Sequence, residues 1–432
     1  MNTSKTIGFK TLGCRLNQFE TDALASQFAR LGYKVVDNSK NTDVLIVNTC
    51  TVTNQSDQKS RYVVNHALKH GHNGLLIITG CMANHHKVKL EAKYPNAYVI
   101  DNQEKSNIPQ LVQAHFNQEI IPAHQQQSGV FAYEPASETF HTRSMVKIQD
   151  GCDNFCTFCI IPKVRGRATS RPVNEILKNI QQVVAFGYKE VVITGVNISR
   201  YNHKGTTFSQ LLKQIVALPE DFRLRISSIE PDGFDEDFFE VLAHPKISPH
   251  LHLCLQSGSE KVLLQMRRMY TLRSYEEIVR RVRSIDPLFN ITTDIIVGFP
   301  GEEETDFKAS LEAIKQFQFG HVHTFKYSKR EDTRAARMTN TVPEKEKTIR
   351  SEHLRQIAEN IKSDYRNQFI GRTQIVLVEK IDAEGMASGY GQHYVPVKFY
   401  APQAKKNEFY TVSIQAMDIS DKENPVLMAS TT

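Results

Sequence analysis

The sequence predicts an α/β protein built from three successive parts. A parallel α/β sheet domain comes first, a partial (β/α)6 barrel of the TIM type follows, and a small β-barrel ends the chain. Strand-like apolar runs alternate with helical segments over residues 6–100, and the alternation resumes at residue 145 with six further strand-like runs. Four short strand-like runs separated by glycine or polar turns lie within residues 371–432, which is typical of a small barrel.

The length of 432 residues suggests several domains with large cores. We expect domains at residues 1–118, 138–368 and 371–432. Residues 102–144 lack a strong period and include the polar run 125–128, so they predict a connection between domains. A composition of 40% hydrophobic and 23% charged residues excludes extended disorder. The formal net charge of +6 gives only weak support for a nucleic acid partner.

Nothing in the sequence predicts a membrane segment. The N-terminal run MNTSKTIGFK has no apolar signal core, and no apolar run reaches the ~18 residues that a membrane span needs. We therefore expect a cytoplasmic protein without membrane contact. In a reducing cytoplasm, cysteines serve as metal ligands more often than as disulfides.

Three cysteines, Cys152, Cys156 and Cys159, lie in the stretch GCDNFCTFCIIP with the spacing C-x3-C-x2-C. Each iron of a 4Fe–4S cluster takes one outside ligand, so three thiolates leave one iron open to a small molecule. A zinc site needs a fourth ligand, and no His or Cys follows at the usual short spacing. The pattern favours the open-iron cluster of radical S-adenosylmethionine (SAM) enzymes over a zinc knuckle or three core cysteines. Phe158 fits a dry wall around a cluster, or ordinary core.

Three more cysteines, Cys14, Cys50 and Cys81, each lie just beyond a predicted strand. Their separations of 36 and 31 residues each match about one βαβ unit. Strands of an open parallel sheet end at one common edge, where ligands bind, so the three thiols are expected to converge. We therefore predict a second cluster with one open iron, and three unrelated buried residues are the alternative.

Polar or glycine residues also follow the other predicted barrel strands, where such barrels place their active sites. Gly195, Asn197, Glu230 and Gln256 are the candidates for binding SAM. Taken singly, residues of these types more often form turns or caps, so the prediction depends on their shared position. The lone Cys254 is expected to face the barrel interior as packing.

Polar side chains beside both cysteine sets allow two interpretations. Asn17, Asn48 and Thr49 either hydrogen-bond cluster sulfurs or cap turns and helices. The basic residues after the later set either contact phosphates or form a solvated loop: Lys163, Arg165, Arg167 and Arg171. Aromatic and basic residues of the C-terminal part indicate RNA binding through stacking and charge.

Together these stretches carry a resemblance to a known family. The matching motifs are Gly13-Cys14-Arg15-Leu16-Asn17, Asn48-Thr49-Cys50, Gly80-Cys81, the stretch 151–162, Arg165-Gly166-Arg167 and Gln256-Ser257-Gly258-Ser259. On these motifs the chain resembles the radical SAM methylthiotransferases over essentially its whole length. The order of parts also matches: methylthiotransferase N-terminal domain, radical SAM barrel, TRAM domain. The run NTCTVTN, residues 48–54, looks most like the branch that acts on threonylcarbamoyladenosine at position 37 of tRNA, next to the anticodon.

The resemblance implies an enzyme that methylthiolates carbon 2 of that base, giving 2-methylthio-N6-threonylcarbamoyladenosine. It implies that Cys14, Cys50 and Cys81 (the N-terminal cysteine set) hold an auxiliary 4Fe–4S cluster whose sulfur one SAM methylates. It also implies that the other three cysteines (the barrel cysteine set) hold the 4Fe–4S cluster that cleaves a second SAM. The expected partners are tRNA and an electron donor such as flavodoxin or ferredoxin, and the expected state is a monomer.

Three alternatives stay open on the sequence alone. The substrate could be isopentenyladenosine in tRNA or a ribosomal protein aspartate. The chain could be a non-catalytic iron–sulfur protein that carries electrons or senses redox state, or a structural zinc protein that binds RNA. Two positions depart from the family pattern: Thr194-Gly195-Val196 replaces a Gly-Gly-Glu element, and Asp332 replaces a glycine, which leaves the turn there open.

Overall fold

The computed structural model describes residues 4–36, 42–69, 72–120, 129–136, 141–421 and 423–431. The N-terminal part contains a five-stranded parallel sheet in the order β2-β1-β3-β4-β5. Its central strands β3 and β4 are apolar runs buried on both faces, as expected where helices cover a parallel sheet on both sides. The strands are β1 (Thr6–Thr11), β2 (Lys34–Val36), β3 (Val44–Thr49), β4 (Leu75–Gly80) and β5 (Ala97–Ile100).

Four helices cover this sheet and create two cores. One core packs Phe28 and Val112 against the sheet, and the other packs Val64 and Met82 against the opposite face. The three-residue edge strand β2 was not predicted because it is too short to show a period. The helices are α1 (Arg15–Arg30), α2 (Asn54–Lys69), α3 (Cys81–Lys93) and α4 (Ile108–Asn117).

The expectation of a connection over residues 102–144 is wrong for its first half. Helix α4 begins there with a proline in its first turn and ends at Gln118, whose backbone is left-handed. Ile108 and Val112 are fully buried under the sheet, so the helix belongs to the N-terminal core. Ile108, Leu111 and Val112 do follow helical spacing, but ten residues are too few for a strong period. The polar run 125–128 lies outside the described residues.

The central part is an open barrel of six parallel strand positions, as the sequence predicts. One sheet has the order β12-β9-β6 and the next β13-β14-β15-β16, and a bridge between Leu224 and Ile247 joins them. Strand β13 continues β12 after a break at Ser227. The strands are β6 (Ser144–Lys147), β9 (Glu190–Thr194), β12 (Arg223–Ile226), β13 (Ser228–Ile229), β14 (His250–Leu253), β15 (Asn290–Val297) and β16 (His321–Lys326).

Short elements fill the loops, and helices cover the outside of this barrel. The pairs β7 (Gln149–Asp150) with β8 (Thr169–Ser170) and β10 (Asn202–His203) with β11 (Thr206–Thr207) are antiparallel. The helices are α5 (Ile161–Val164), α6 (Val173–Ala185), α7 (Phe208–Val216), α8 (Glu236–Leu242), α9 (Glu260–Gln265), α10 (Leu272–Ile285), α11 (Glu304–Phe317) and α12 (Glu344–Asn367). None of the helices described is long and apolar enough to cross a membrane.

The C-terminal part is a closed five-stranded barrel in the order β17-β18-β19-β21-β20. Four of its strands were predicted, and the last one was not. The barrel packs beneath the central one: Asn290 at the start of β15 donates to the His393 carbonyl at 2.7 Å, and Arg223 donates to the Ile375 carbonyl at 3.0 Å. The strands are β17 (Thr373–Ile381), β18 (Met386–Tyr390), β19 (Pro396–Tyr400), β20 (Phe409–Asp418) and β21 (Val426–Thr431).

Candidate active site

The N-terminal cysteine set lies at one edge of the first sheet. Cys14 caps the start of α1, Cys50 follows β3 directly, and Cys81 is the first residue of α3. Burial, with smaller contributions from the nearby thiols of Cys81 and Cys14, raises the pKa of the Cys50 thiol to about 11. The structure therefore brings together the three residues that the strand positions predicted to converge.

Two glycines allow the three cysteine loops to approach one another. Gly13 has a φ of +96°, and a Cβ there would lie 2.7 Å from the Cβ and 2.8 Å from the Sγ of Cys50. Gly80 has a φ of +94°, and a Cβ there would lie 2.3 Å from the carbonyl oxygen of Thr49. Only glycine fits both the left-handed backbone and the close contact at these positions.

The polar residues beside this set bind the loops rather than sulfur. Asn17 donates to the carbonyls of Leu12 at 2.8 Å and Thr49 at 3.1 Å, and Asn48 donates to the Asn17 carbonyl at 2.9 Å. The Thr49 hydroxyl donates to the Thr79 carbonyl at 2.5 Å. Of the two interpretations left open for these residues, the structure supports loop and turn stabilisation.

The barrel cysteine set lies in a loop that the strands β7 and β8 close at its base. Gly151 opens this loop with a φ of +69°, and a Cβ there would lie 2.0 Å from the Arg167 carbonyl oxygen. Burial raises the pKa of Cys152, Cys156 and Cys159, the last to about 12. A metal cluster that binds these thiols as thiolates would reverse this shift, because it supplies the opposite charge.

The structure places two of the predicted SAM-binding residues at the sulfurs of this loop. The side-chain amide of Asn197 lies 3.8 Å from the Cys152 Sγ. Glu230 forms an ion pair with Arg268, whose Nη1 donates to the Cys156 Sγ at 3.2 Å. Asn197 is thus a direct neighbour of the cysteine set, and Glu230 reaches it through an arginine.

The other two candidates, Gly195 and Gln256, and the predicted wall residue Phe158 lie around the set. A Cβ at Gly195 would lie 2.6 Å from the Cγ2 of Ile198, so the backbone passes close to the following turn. Gln256 has a left-handed backbone with a φ of +69° and bridges to β15 through Asp294 and Ile296. Phe158 packs edge-on against Phe299, with ring centroids 6.4 Å apart.

Sequence reasoning missed two residues that organise this site. The buried Gln149 accepts from the backbone nitrogens of Val196 at 3.0 Å and Asn197 at 2.8 Å and donates to the Gly151 carbonyl at 2.7 Å, which joins the β9 loop to the cysteine loop. Arg268 holds Cys156 and Glu230 together. Neither residue stood in a recognisable motif, because an isolated Gln or Arg carries no spacing signal.

The basic loop after the barrel cysteine set is neither a phosphate site nor a solvated loop throughout. Arg165 is buried and donates to Glu20 at 3.0 Å, Asp150 at 3.1 Å and Asn17 at 2.7 Å. Arg171 is buried as well and donates to the Asn179 side chain at 2.8 Å. Lys163 and Arg167 are exposed. Among these four residues, they are therefore the two that could still contact phosphates or form a solvated loop.

The segment from Arg330 to Ala335 connects the loops of the two cysteine sets. Arg330 donates to Asn54 at 2.5 Å and Thr51 at 2.7 Å, just beyond Cys50. The Ala335 backbone nitrogen donates to the Thr157 carbonyl at 2.8 Å, inside the barrel cysteine loop. Asp332 keeps the turn of the family glycine, because it adopts a left-handed backbone with a φ of +68°.

The donor atoms of the two sets fit a cluster better than a single ion. A zinc ion binds thiolates at about 2.3 Å, so two thiolates on one zinc lie within ~4.6 Å of each other. In the described part of the chain, His252, Cys254 and Asp294 form the only group of three such residues whose ligand atoms all lie within 4.8 Å. In each cysteine set at least one pair of sulfur atoms is therefore more than 4.8 Å apart. That separation is too wide for one zinc ion and leaves room for a 4Fe–4S cluster. Burial raises the pKa of Cys254 well above its usual range, so it remains a packed thiol.

A cavity of about 780 Å³ lies along the barrel strands beside the N-terminal cysteine set. Its wall includes Cys14 at one side, Gly195 just after β9 and Asp294 inside β15, and none of the barrel cysteine set. On the C-terminal side, Tyr390 at the end of β18 and Tyr394 in the turn that follows complete the wall. The volume suits a nucleoside-sized ligand.

Family comparisons agree with this architecture. Residues 6–101 match the uncharacterized protein family UPF0004, and residues 146–314 match the radical SAM superfamily. The radical SAM methyltransferase TsrM from Kitasatospora setae shares the fold with a TM-score of 0.53 and 14% identity, covering 75% of this chain and 72% of that chain. The fold and the barrel site thus define a radical SAM protein.

Curated relatives define the family more narrowly. The threonylcarbamoyladenosine tRNA methylthiotransferase MtaB of Thermotoga maritima is 36% identical over 96% of this chain and 95% of its own length. The MtaB of Bacillus subtilis is 37% identical over 91% of this chain and 90% of its own length. The tRNA-2-methylthio-N(6)-dimethylallyladenosine synthase of Thermodesulfovibrio yellowstonii is 31% identical over 95% of this chain and 96% of its own length. The chain therefore belongs to the radical SAM methylthiotransferase family, whose cofactors are SAM and two 4Fe–4S clusters.

Proposed function

We propose that the protein methylthiolates carbon 2 of N6-threonylcarbamoyladenosine at position 37 of tRNA. The observation that carries the proposal is the cavity, which reaches from Cys14 to Gly195 and Asp294 of the barrel and has several cationic and polar side chains in its wall. Arg15, Arg225 and His252 contribute to that wall, and they suit the polar threonylcarbamoyl group better than an apolar dimethylallyl group. The MtaB relatives carry the name of the same substrate.

In this proposal the N-terminal cysteine set holds the auxiliary cluster, and the barrel cysteine set holds the cluster that binds SAM. When bound, these cofactors supply the radical and the sulfur for the reaction. The chain contributes position and environment. Asn197 and Arg268 place donors at the Cys152 and Cys156 sulfurs, which favours thiolates.

Charge near the N-terminal cysteine set also fits bound thiolates. Burial raises the pKa of Cys81, while the cationic side chains of Arg165 and Lys105 lower it. Both cations belong to a buried network in which Lys105, Lys147 and Arg165 form ion pairs with two carboxylates of the described residues, Glu20 and Asp150. This network therefore leaves positive charge beside the site where a cluster with three thiolates carries negative charge.

The substrate base would enter this cavity from an anticodon loop, whose bases are already partly unstacked, so less stacking energy opposes its entry. A flavodoxin or ferredoxin of the cytoplasm would supply the electron, and the chain would act as a monomer. The C-terminal barrel would contact the RNA.

The test compares two anticodon stem-loop RNAs that differ only in the N6 group of the target adenosine. Protein reconstituted anaerobically with iron and sulfide receives SAM, a reductant and either RNA, and mass spectrometry identifies the nucleoside products. We expect methylthiolation of the threonylcarbamoyl RNA and little of the dimethylallyl RNA. The reverse preference would assign the chain to the dimethylallyl branch, which the 31% identical relative keeps as second candidate. Absence of SAM cleavage with either RNA would favour a non-catalytic iron–sulfur protein.

A further inference from the structure

Three arginines of the cavity wall surround one tyrosine ring. The guanidinium carbons of Arg225, Arg143 and Arg15 lie 3.8, 5.3 and 5.8 Å from the ring centre of Tyr394. They come from β12, from the residue before β6 and from the start of α1, so three distant parts of the chain meet here. Arg15 directly follows Cys14, a member of the N-terminal cysteine set.

The carboxylates nearby do not balance these arginines. Arg143 forms an ion pair with Glu190 at 2.8 Å and another with Glu379. Arg225 shares the same Glu190 at 3.4 Å, and a further arginine of β12 shares it as well. For Arg15, no carboxylate lies within ion-pair distance in the part of the chain that the structure describes. Four guanidiniums against two carboxylates leave an excess of two positive charges at this end of the cavity.

Donor groups at this place also lack acceptors. The side chain of Arg225 is only 4% exposed, and its Nη1 has no hydrogen-bond partner among the described residues. A buried charged donor without an acceptor costs free energy, so such a group indicates a missing ligand. Because Arg225 and Arg15 both line the cavity, a molecule inside it can supply the acceptor that Arg225 lacks and the counter-charge that Arg15 lacks among the described residues.

The state of Tyr394 reports the same excess of positive charge. Burial alone would raise its pKa, but Arg225, Arg15 and Arg143 outweigh burial and lower it to about 8. Its backbone is left-handed with a φ of +56°, a strained conformation for a tyrosine, and its ring stacks on Tyr390 at 4.6 Å. The turn between β18 and β19 thus holds an aromatic platform beneath the arginines, where negative charge is favoured.

We propose that Arg15 and Arg225, above Tyr394, bind the carboxylate of the threonyl group of the substrate base. This inference rests on the proposed function. The threonylcarbamoyl group ends in a carboxylate and the dimethylallyl group does not, and arginine binds carboxylates with two parallel hydrogen bonds. A site built this way rejects a neutral analogue, because its buried donors would stay unpaired. Carbon 2 and carbon 6, which bears N6, are the two ring neighbours of N1, so the N6 group lies on the same side of the base as carbon 2. Because Arg15 directly follows Cys14, a carboxylate held by Arg15 keeps carbon 2 near Cys14.

The test uses four reconstituted proteins and two RNAs. One anticodon stem-loop carries threonylcarbamoyladenosine and the other carries its methyl ester, which removes the charge and little else. We measure kcat/KM for methylthiolation and the Kd of each RNA. For the wild-type protein we expect at least a 100-fold preference in kcat/KM for the acid. For Arg15→Gln we expect the preference to fall about tenfold or more, with most of the change in KM and Kd.

Two further variants separate the carboxylate from other causes. Arg15→Lys keeps the charge but not the paired hydrogen bonds, so part of the preference should return. Arg273→Gln removes an exposed arginine of α10, and its preference should equal that of the wild type. Iron content is measured for every variant, because an Arg15→Gln protein that has lost iron would show that the residue supports the cluster and would overturn the proposal.

The remaining outcomes are distinct from one another. Equal kcat/KM for acid and ester in the wild-type protein would overturn this inference and leave the proposed function intact. A loss of affinity in Arg15→Gln that is the same for both RNAs would show that Arg15 binds an RNA phosphate or the carboxylate of SAM instead. Failure of the wild-type protein to methylthiolate the acid RNA would overturn the proposed function itself.

Discussion

Replacement of Glu20 by glutamine tests how the N-terminal domain is held on the barrel. The Glu20 carboxylate is fully buried on α1 and accepts from Lys105 at 2.5 Å, Arg165 at 3.0 Å and Lys147 at 3.2 Å. Arg165 and Lys147 belong to the barrel, so one carboxylate joins the two parts. Burial raises the pKa of Glu20, but Arg165 and the two lysines outweigh burial and lower it well below its usual range.

The size of the effect follows from the charges that remain. Glu20→Gln keeps the volume and one acceptor, but Lys147 and Arg165 then share Asp150, and Lys105 keeps no carboxylate among the described residues. Removing one partner of a buried ion pair costs about 3–5 kcal/mol, and the amide oxygen recovers part of that, so we expect about 3 kcal/mol. Glu240→Gln is the matched control, because its partner Lys213 and the carboxylate are both exposed, and we expect no resolvable change.

Urea unfolding of the apoprotein, followed by circular dichroism, measures this change. A group with a lowered folded pKa stabilises the fold above its unfolded pKa and loses that effect as the pH falls through the folded value. The difference between wild type and Glu20→Gln should therefore be full at neutral pH and shrink below about pH 4.5, near the usual glutamate pKa. Equal midpoints at pH 7, or a difference that does not depend on pH, would refute this account of the interface.

Further predictions concern the two cysteine sites. Gly13→Ala should lose the iron of the N-terminal site, because the new Cβ would lie 2.7 Å from the Cβ of Cys50. Gly32→Ala should keep that iron, because Gly32 has the same left-handed backbone but a Cβ there would have no atom within 4 Å. Iron counting after reconstitution measures both. Arg268→Gln should slow SAM cleavage by about 10–100-fold, since it removes the donor at the Cys156 sulfur and leaves Glu230 unpaired. An unchanged rate, equal to that of the exposed Arg280→Gln control, would show that this contact does not matter. Asp332→Gly should keep or slightly raise stability in the same unfolding assay, because it relieves a left-handed aspartate, and a clear loss would contradict that reading.

The fold class could be predicted because its signals are local and repeated. The apolar strands β3 and β4 and the helix α6 have clear periods, and the cysteines stand at strand ends that a parallel sheet must bring together. The strand β2 and the helix α4 were missed because three and ten residues carry too little period to stand out from loops. Strand β21 was also missed, because it follows a polar stretch and its six residues are too few to show a clear period.

The candidate site was predictable only where residue type and spacing coincide. Six cysteines were identified that way, and the structure gathers them into two sets. Arg165 was assigned to a phosphate-binding or solvated loop, because its partner Glu20 is 145 positions away in the chain. The sequence does not indicate that the two side chains lie 3.0 Å apart in the folded protein. The arginines around Tyr394 were missed for a related reason: Arg15, Arg143 and Arg225 meet only after three separate parts of the chain have folded.

Iron counting in two triple variants tests the central claim of two clusters in one protein most directly. One variant replaces Cys14, Cys50 and Cys81 by alanine, and the other replaces Cys152, Cys156 and Cys159. After anaerobic reconstitution, two four-iron clusters require about eight irons in the wild-type protein and about four in each variant. SAM cleavage should disappear in the second variant alone. If the first variant keeps all its iron, the N-terminal cysteine set holds no cluster, and the account of a two-cluster methylthiotransferase is contradicted.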